Sequence, residues 1–386
     1  MSAQFAAALA TGDPVSLVAR CVAGIPAIKG ANLGILYVSE PAAPAFPQLV
    51  RALAECTGIH SWVGGVGLGV CSAEDEIFDE PAAVTMTAAL PPDSFRVFSA
   101  TDDPGSELPR RHSAWIEASQ PALALVHADP RCPDLAKAAI DVATASGAFL
   151  VGGLVSHRCT SPLLGRTPNE EAGGEEAGAE EDGLGGNGFA GLMLAPEIAV
   201  ATGLTQGCMP IGPVHRIDEA RDNVVMVIDG RPALAVFTED IGPGLASDLR
   251  RVGGLIFAGL PVPGSDTGDY LVRNLMAIDP GRGWLVLGAE IAAGDPIVFC
   301  RRDPESARRD MVRMVSQLAG RLSAPPKAGI YVSCVARGAA LFGEAGVETA
   351  LIREALGEFP LIGFFANGEI SRDRLYGHTG VLTLFT

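Results

Sequence analysis

The sequence predicts an α+β fold: mixed, largely antiparallel sheets flanked by helices, shared between two domains. Three observations carry this expectation. A strand–helix–strand–strand unit is written three times, beginning near Gly34, Pro121 and Gly329. Four short β-type runs, joined by Gly, Pro and Asp turns, lie between Gly254 and Cys300. The length of 386 residues also exceeds the usual size of one domain.

Residues 2–23 read as one or two helical turns of small apolar residues. In the first unit, Gly34 to Ser39 is a strand. A helix follows from Phe46 to Thr57, with Leu49, Val50 and Leu53 on one face and Gly58 as its stop. His60 to Val70 is a glycine-rich apolar run, and Ala82 to Ala89 is a further strand. The second unit opens with a strand at Pro121 to His127. Its helix takes Asp134 as N-cap, turns Leu135, Ala139 and Val142 inward, and stops at Gly147. Ala148 to Val155 and Gly188 to Ala195 are the next strands. Residues 166–188 between them are mostly Glu, Gly and Ala with no aromatic side chain, and are expected to form a disordered surface loop inside the first domain.

Strands follow at Ile198 to Leu204 and Val224 to Ile228. Asp229-Gly230 is a turn signal, and Pro232 suits the first turn of a helix. The domain boundary is therefore drawn here, giving domains 1–228 and 229–386. The four β runs at Gly254 to Leu260, Asp269 to Ile278, Trp284 to Ala289 and Pro296 to Cys300 read as an antiparallel meander. Pro304 opens an amphipathic helix with Met311, Met314, Val315 and Leu318 inward. In the third unit a strand at Ile330 to Ser333 leads to a helix with Val347, Leu351 and Ala355 on one face. Gly357 ends that helix, and a strand runs from Pro360 to Phe365. A helical crossover makes the strands on either side of it parallel, and the closing strand of each unit is expected to be antiparallel.

The net charge is −17, of which seven charges fall on Glu170, Glu171, Glu175, Glu176, Glu180, Glu181 and Asp182, leaving −10 elsewhere. Such acidity excludes nucleic acid and anionic membrane as expected partners. No run of 18 apolar residues exists and no export signal is read near the N-terminus. Eight Cys without a CxxC pair fit a reducing, cytoplasmic setting rather than a disulfide framework or zinc ribbon. The spacing of His157 and Cys159, with Cys132 or Cys208, matches no zinc pattern, and no metal or cofactor is expected. Gly64, Gly65, Gly67 and Gly69 suggest a nucleotide loop only superficially, because Glu74-Asp75-Glu76 follows where a phosphate-binding helix would start. Gly64-Gly65, Gly152-Gly153 and Gly363 instead mark equivalent strands where backbone or ligand approaches closely.

The third unit concentrates charge at its strand ends. Cys334 lies beside Arg337, a neighbour that favours thiolate. A cysteine-dependent hydrolase or transferase is therefore one reading, although His378 is the unit's sole candidate base and a buried apolar Cys is the plainer account. Arg337 and Glu369 sit just past the ends of two strands, where mixed sheets bind ligands. They either receive the carboxylate and ammonium of a small zwitterion or pair with each other and tie two loops together.

Three segments of the C-terminal part resemble the FIST family: Ser333-Cys334-Val335-Ala336-Arg337-Gly338, then Pro360 to Ile370 with Asn367-Gly368-Glu369, then His378-Thr379-Gly380-Val381-Leu382. Val151-Gly152-Gly153, Gln206 to Pro213 and Asp229 to Leu234 carry the N-terminal resemblance. The resemblance implies paired FIST N-terminal and C-terminal domains in a stand-alone sensory module. It implies a small-molecule ligand, with amino acids as the class, and no catalysis. A signalling protein is the partner such a module would report to, and a scaffold that docks one is a further alternative. The candidate ligand-binding positions are Cys334, Arg337, Gly338, Gly363, Phe364, Asn367, Gly368, Glu369, Gly152 and Gly153.

Overall fold

The computed structural model describes residues 3–167, 183–262 and 269–386. These residues fall into two compact units that are not consecutive halves of the chain. The first comprises residues 1–205, 312–375 and 379–386; the second comprises residues 206–311 and 376–378.

The first unit is a threefold repeat. In the first repeat, β1 (Gln4–Thr11) leads to α1 (Pro14–Gly24), β2 (Leu33–Ser39), α2 (Phe46–Thr57), β3 (Ser61–Gly67), β4 (Gly69–Ser72), β5 (Glu76–Ile77) and β6 (Ala82–Ala89). The second repeat follows with β7 (Phe95–Thr101), α3 (Pro104–Ser119), β8 (Leu123–Asp129), α4 (Leu135–Ser146), β9 (Phe149–Leu154), β10 (Leu163–Arg166), β11 (Leu184–Gly185) and β12 (Gly188–Leu194). The third begins with β13 (Val200–Gln206).

Between β13 and the rest of its repeat the chain builds most of the second unit. Its strands are β14 (Cys208–Pro210), β15 (His215–Arg221), β16 (Val224–Ile228), β17 (Arg231–Pro232), β18 (Ile256–Pro261), β19 (Tyr270–Asp279), β20 (Trp284–Leu287) and β21 (Pro296–Arg302), with α5 (Ala233–Ala246) after β17. The third repeat then resumes through α6 (Pro304–Arg321), β22 (Ala328–Cys334), α7 (Gly338–Phe342), α8 (Val347–Leu356), β23 (Leu361–Ala366), β24 (Glu369–Arg372), β25 (Arg374–Tyr376) and β26 (Thr379–Phe385).

Three six-stranded sheets share one plan: β1-β6-β2-β3-β10-β11, β7-β12-β8-β9-β24-β25 and β13-β26-β22-β23-β4-β5. In each, the two strands around the helical crossover are parallel, and the closing strand of the repeat is antiparallel to the first of them. The last two strands of every sheet come from another repeat. The first repeat lends β4–β5 to the third sheet, the second lends β10–β11 to the first, and the third lends β24–β25 to the second. The inner faces meet in one apolar core, to which Ile35, Val84, Leu125, Val151, Ile330 and Val381 all belong. Helices cover outer faces: Leu17 of α1 and Leu49, Val50 and Leu53 of α2 pack with Leu36 and Trp62, and Leu108 of α3 and Val142 of α4 pack with Val126 and Met193.

Local chemistry sets the helix ends as read from the sequence. Asp134 accepts from the Lys137 N–H at the start of α4, and left-handed Gly58 and Gly147 stop α2 and α4. One glycine position recurs in all three repeats. A Cβ at Gly64 would lie 1.9 Å from the Leu36 carbonyl oxygen, one at Gly152 1.8 Å from that of Val126, and one at Gly363 1.8 Å from that of Tyr331. These are the equivalent close approaches that the sequence marked.

In the second unit the strands close on themselves in the order β21-β15-β16-β20-β19-β18-β21. Val236, Phe237 and Ile241 of α5 pack against Ile217, Val225, Leu285 and Phe299. His215 is clamped between Asp229 (Nδ1 to Oδ2, 2.7 Å) and Asp240 (Nε2 to Oδ2, 2.9 Å).

Four details correct the sequence reading. Residues 4–11 are a strand, because full eight-residue pairing with β6 outweighs the helix propensity of their alanines. The run from His60 to Val70 is two strands in two sheets, divided at Leu68. The four runs between 254 and 302 do not form a simple meander, since β21 returns to pair with β18 and also with β15 and β14. The strand β7 and the helix α3 went unread, because α3 carries an internal Pro109 and few apolar side chains. Of the acidic loop, residues 168–182 lie outside the described residues, while Leu184–Gly185 pairs with β10.

The shared glycine position gives a direct check. Gly152→Ala is expected to destabilise the protein by more than ~3 kcal/mol or to prevent folding. Gly24→Ala, where nothing lies within 4 Å of the new carbon, should leave the urea midpoint essentially unchanged.

Candidate functional site

The strand ends of the third repeat hold a buried charge network. Arg337 follows the end of β22, is 1% exposed, and is held by Glu348 from the first turn of α8. Its Nε donates to Glu348 Oε1 at 2.7 Å, and Nη2 lies 2.6 Å from the same oxygen. Tyr331 Oη donates to Oε1 at 2.7 Å and Ser333 Oγ to Oε2 at 2.9 Å. The Gly338 N–H points at Oε2 from 3.4 Å, and Phe342 lies under the guanidinium at 5.9 Å. Glu348 therefore has donors around both oxygens, which is what a buried carboxylate requires.

Glu369 opens β24 and is also fully buried. It accepts from Thr379 Oγ1 at 2.7 Å, from the Thr379 N–H at 3.1 Å and from the Gly368 N–H at 3.3 Å. Burial pushes its pKa up to about 7, opposed by these donors and by the charge of Arg337. Arg337 thus acts on Glu369 through space while its ion-pair partner is Glu348, a residue absent from the sequence-derived candidates. The face of α8 expected from Val347, Leu351 and Ala355 hid it: Ala355 is exposed and Leu351 half-buried, and the buried face is Glu348, Ile352 and Leu356, spaced four apart. Glu76, on the arm lent by the first repeat, comes close enough to Gly338 that a Cβ there would sit 3.2 Å from its Oε2. Burial pushes Glu76 up to about 7 as well, and the negative charge of Glu348 adds to the effect.

The remaining candidates separate into two places. Cys334 is buried and its carbonyl accepts from the Arg337 N–H at 2.8 Å. Gly338 begins α7, Asn367 is exposed, and Gly368 is buried, its carbonyl accepting from the Leu154 N–H at 2.9 Å. Gly152, Gly153, Gly363 and Phe364 belong instead to the packed centre. Gly152 and Gly363 abut the carbonyls described above, and Gly153 pairs with Glu369 across β9 and β24. Phe364 stacks on Tyr37 at 4.8 Å and lies 5.8 Å from His127. Tyr37 Oη and His127 Nε2 share a hydrogen bond of 2.9 Å in this apolar centre. Burial lowers the His127 pKa to about 3, so the ring is neutral.

A cavity of about 320 Å³ lies at the carboxyl ends of the first repeat's parallel strands. Glu40 directly follows β2 and Leu68 directly follows β3; Asp79, Ser156, Arg158 and Cys159 complete the polar wall. Glu40 accepts from Ser156 Oγ, and its Oε2 accepts from Arg158 Nη1 at 3.0 Å. The Arg158 side chain is 71% exposed and that of Glu40 17%, so this pair faces solvent through the cavity. In the second repeat the acid that ends β8, Asp129, is closed. Arg131 binds Asp129 through Nε at 2.9 Å and Nη2 at 2.5 Å, and the N–H of Asn187 donates at 2.9 Å. Only the first of the three acid–arginine pairs lines one of the described cavities. Cys159 in its wall has its thiol pushed up to about 11 by burial, so it is protonated at neutral pH. The sequence reading had set His157 and Cys159 aside as metal ligands and did not single out Glu40 or Arg158, which lie 118 positions apart.

Residues 32–231 match the FIST N domain family, and residues 233–372 match the FIST C domain family. An uncharacterized protein of Mycobacterium tuberculosis strain H37Rv, Rv0628c, is 33% identical over 209 residues, which is 51% of this chain and 54% of that protein. Uncharacterized protein Mb0898c of Mycobacterium bovis is 33% identical over 193 residues, covering 47% of this chain and 49% of its own. The chain spans about half the length of the curated relatives it matches. Among the described residues, no helix is long and apolar enough to cross a membrane.

Two outcomes follow from the buried charges. Arg337→Leu should cost about 3–5 kcal/mol in urea unfolding, because it strands the Glu348 carboxylate. Adding Glu348→Leu to that variant should recover part of the loss. Glu369→Gln keeps an acceptor for Thr379 but removes the charge. The folded pKa of about 7 exceeds the ordinary 4.5, so the stability that Glu369 contributes is full below pH 4.5 and is lost as pH rises through 7. The variant should match the parent near pH 4.5 and melt at a higher temperature than the parent at pH 8.

Proposed function

The chain belongs to the FIST family, whose domains are generally associated with sensory signal transduction, and on that premise we infer that it is a non-catalytic sensory module for an amino acid or related small carboxylate. The observation that carries this reading is the strand-end cavity of about 320 Å³ with opposite charges in one wall. That volume lies in the range of small-ligand sites, and the carboxyl ends of strands are where open α/β sheets take ligands. Arg158 offers a planar fork to a carboxylate, while Glu40 and Asp79 accept from an ammonium. The existing Glu40–Arg158 contact holds both groups at the spacing a zwitterion would replace.

The wall of the cavity also suggests how binding would be transmitted. Leu68 lies at the crossing into the lent arm β4–β5, and Ser156 and Arg158 lie on the segment running from β9 to the lent strand β10. A ligand that separates Glu40 from Arg158 would act on two exchange segments at once. A separate signalling protein reading that change is the partner we assign to it. The absence of catalysis in this reading accords with a buried Cys334 and a protonated Cys159.

Thermal-shift and calorimetric titration with the amino acids and small carboxylates tests the reading. A true ligand at 100 times its Kd should add about 2.7 kcal/mol, a shift of a few degrees. Arg158→Gln should weaken that ligand at least ~10-fold without lowering the melting temperature of the free protein. Absence of any stabilising compound, together with native mass spectrometry showing no co-purified metabolite, would overturn the assignment.

A further inference from the structure

A second cavity, of about 330 Å³, lies at the other end of the same two strands. Asn32 directly precedes β2 and Ser61 opens β3. His60 lies on the turn before β3, Arg96 on β7, His112 on α3, and Thr167 directly after β10. Ile59, Phe95 and Val97 give this cavity apolar walls.

The polar groups differ in kind from those of the first cavity. Asn32 is committed to the backbone of Leu90 through both amide atoms at 3.0 Å. Arg96 is fixed in place: Nη1 donates to the Phe95 carbonyl at 2.8 Å, Nη2 to Asp93 at 3.1 Å, and the guanidinium stacks 5.2 Å from Trp115. Trp115 in turn donates to the Asp93 carbonyl at 2.8 Å. The single acid in the wall, Asp93, is therefore already engaged by Arg96. What converges on the space is an exposed imidazole, His60, two hydroxyls, Ser61 and Thr167, and a guanidinium held rigid by its neighbours. The guanidinium, the hydroxyls and the imidazole can all donate to an anion beside this apolar surface, and the Asp93 carboxylate is held by Arg96 through one oxygen.

We propose that this cavity is a second ligand site, for a small organic monoanion with an apolar body, such as an aromatic or branched-chain carboxylate. The apolar walls take the body, whose removal from water is favourable. The carboxylate takes its hydrogen bonds from His60, Ser61 and Thr167, with Arg96 as the fixed positive group nearby.

Isothermal titration of the full chain with phenylacetate and isovalerate, up to about 10 mM, tests this. Saturable binding of one equivalent is expected. His60→Gln and Thr167→Val, both at surface-accessible positions, should each lower affinity several-fold, while Arg158→Gln should leave it unchanged. Lack of saturable binding by both acids would overturn the proposal. So would binding that Arg158→Gln removes and His60→Gln and Thr167→Val do not, which would place those acids in the first cavity. Because the two sites are read with different variants, failure here leaves the reading of the first cavity standing, and the reverse also holds.

Discussion

The close approach of one strand's backbone to the next strand's carbonyl oxygen is the constraint on which the first unit depends. At Gly64, Gly152 and Gly363 a side chain of any size would collide with the carbonyl of the parallel neighbour. The missing Cβ lets the pair converge just before the chain leaves one sheet for another. Leu68 then donates its N–H to the Phe365 carbonyl and Ser156 donates its N–H to that of Val66, so the crossings hold one another in place. Tyr37, His127 and Phe364 fill the space where the three repeats meet.

The same crossings create the functional geography. Each brings residues distant in sequence to the end of a neighbouring pair of parallel strands. In the third repeat that end is sealed by Arg337, Glu348, Tyr331 and Ser333, all buried. In the second, Arg131 and Asp129 close on each other. In the first, Glu40 and Arg158 face a cavity. Acid–arginine pairs thus stand near three strand ends, and they differ in exposure more than in residue type.

Much of the fold was legible because its local signals agree with its global plan. The three helical crossovers, their N-cap and glycine stops, and the antiparallel closing strands all followed from periodicity and turn chemistry. The destination of β4–β5, β10–β11 and β24–β25 did not, because nothing within Gly69–Ser72 says which sheet it will join. The candidate site suffered from the same gap. Arg337 and Glu369 were found as charged strand-end residues, but the partner of Arg337 came from α8, where Glu348 sits next to a core position. Glu40 and Arg158 each look like ordinary solvated charges in sequence, and acquire meaning only once the segment after β9 is seen to run beside the end of β2.

Strand exchange also governs how the molecule can be made. The partners of β4 lie in β23, roughly 300 residues further along the chain. At a synthesis rate of about 5–20 residues per second, the first arm waits on the order of 15–60 s for its partner. During that interval the sheet edge meant for the arm does not exist, and the arm offers its own unpaired backbone to any neighbouring chain. Contacts of this sequence separation carry a high loop-closure cost and slow the final assembly. Unlike a solenoid, in which a repeat can be removed from one end and the remainder still folds, each repeat here completes a sheet belonging to another. The chain is consequently indivisible at birth: its earliest strands depend for their native pairing on some of its last.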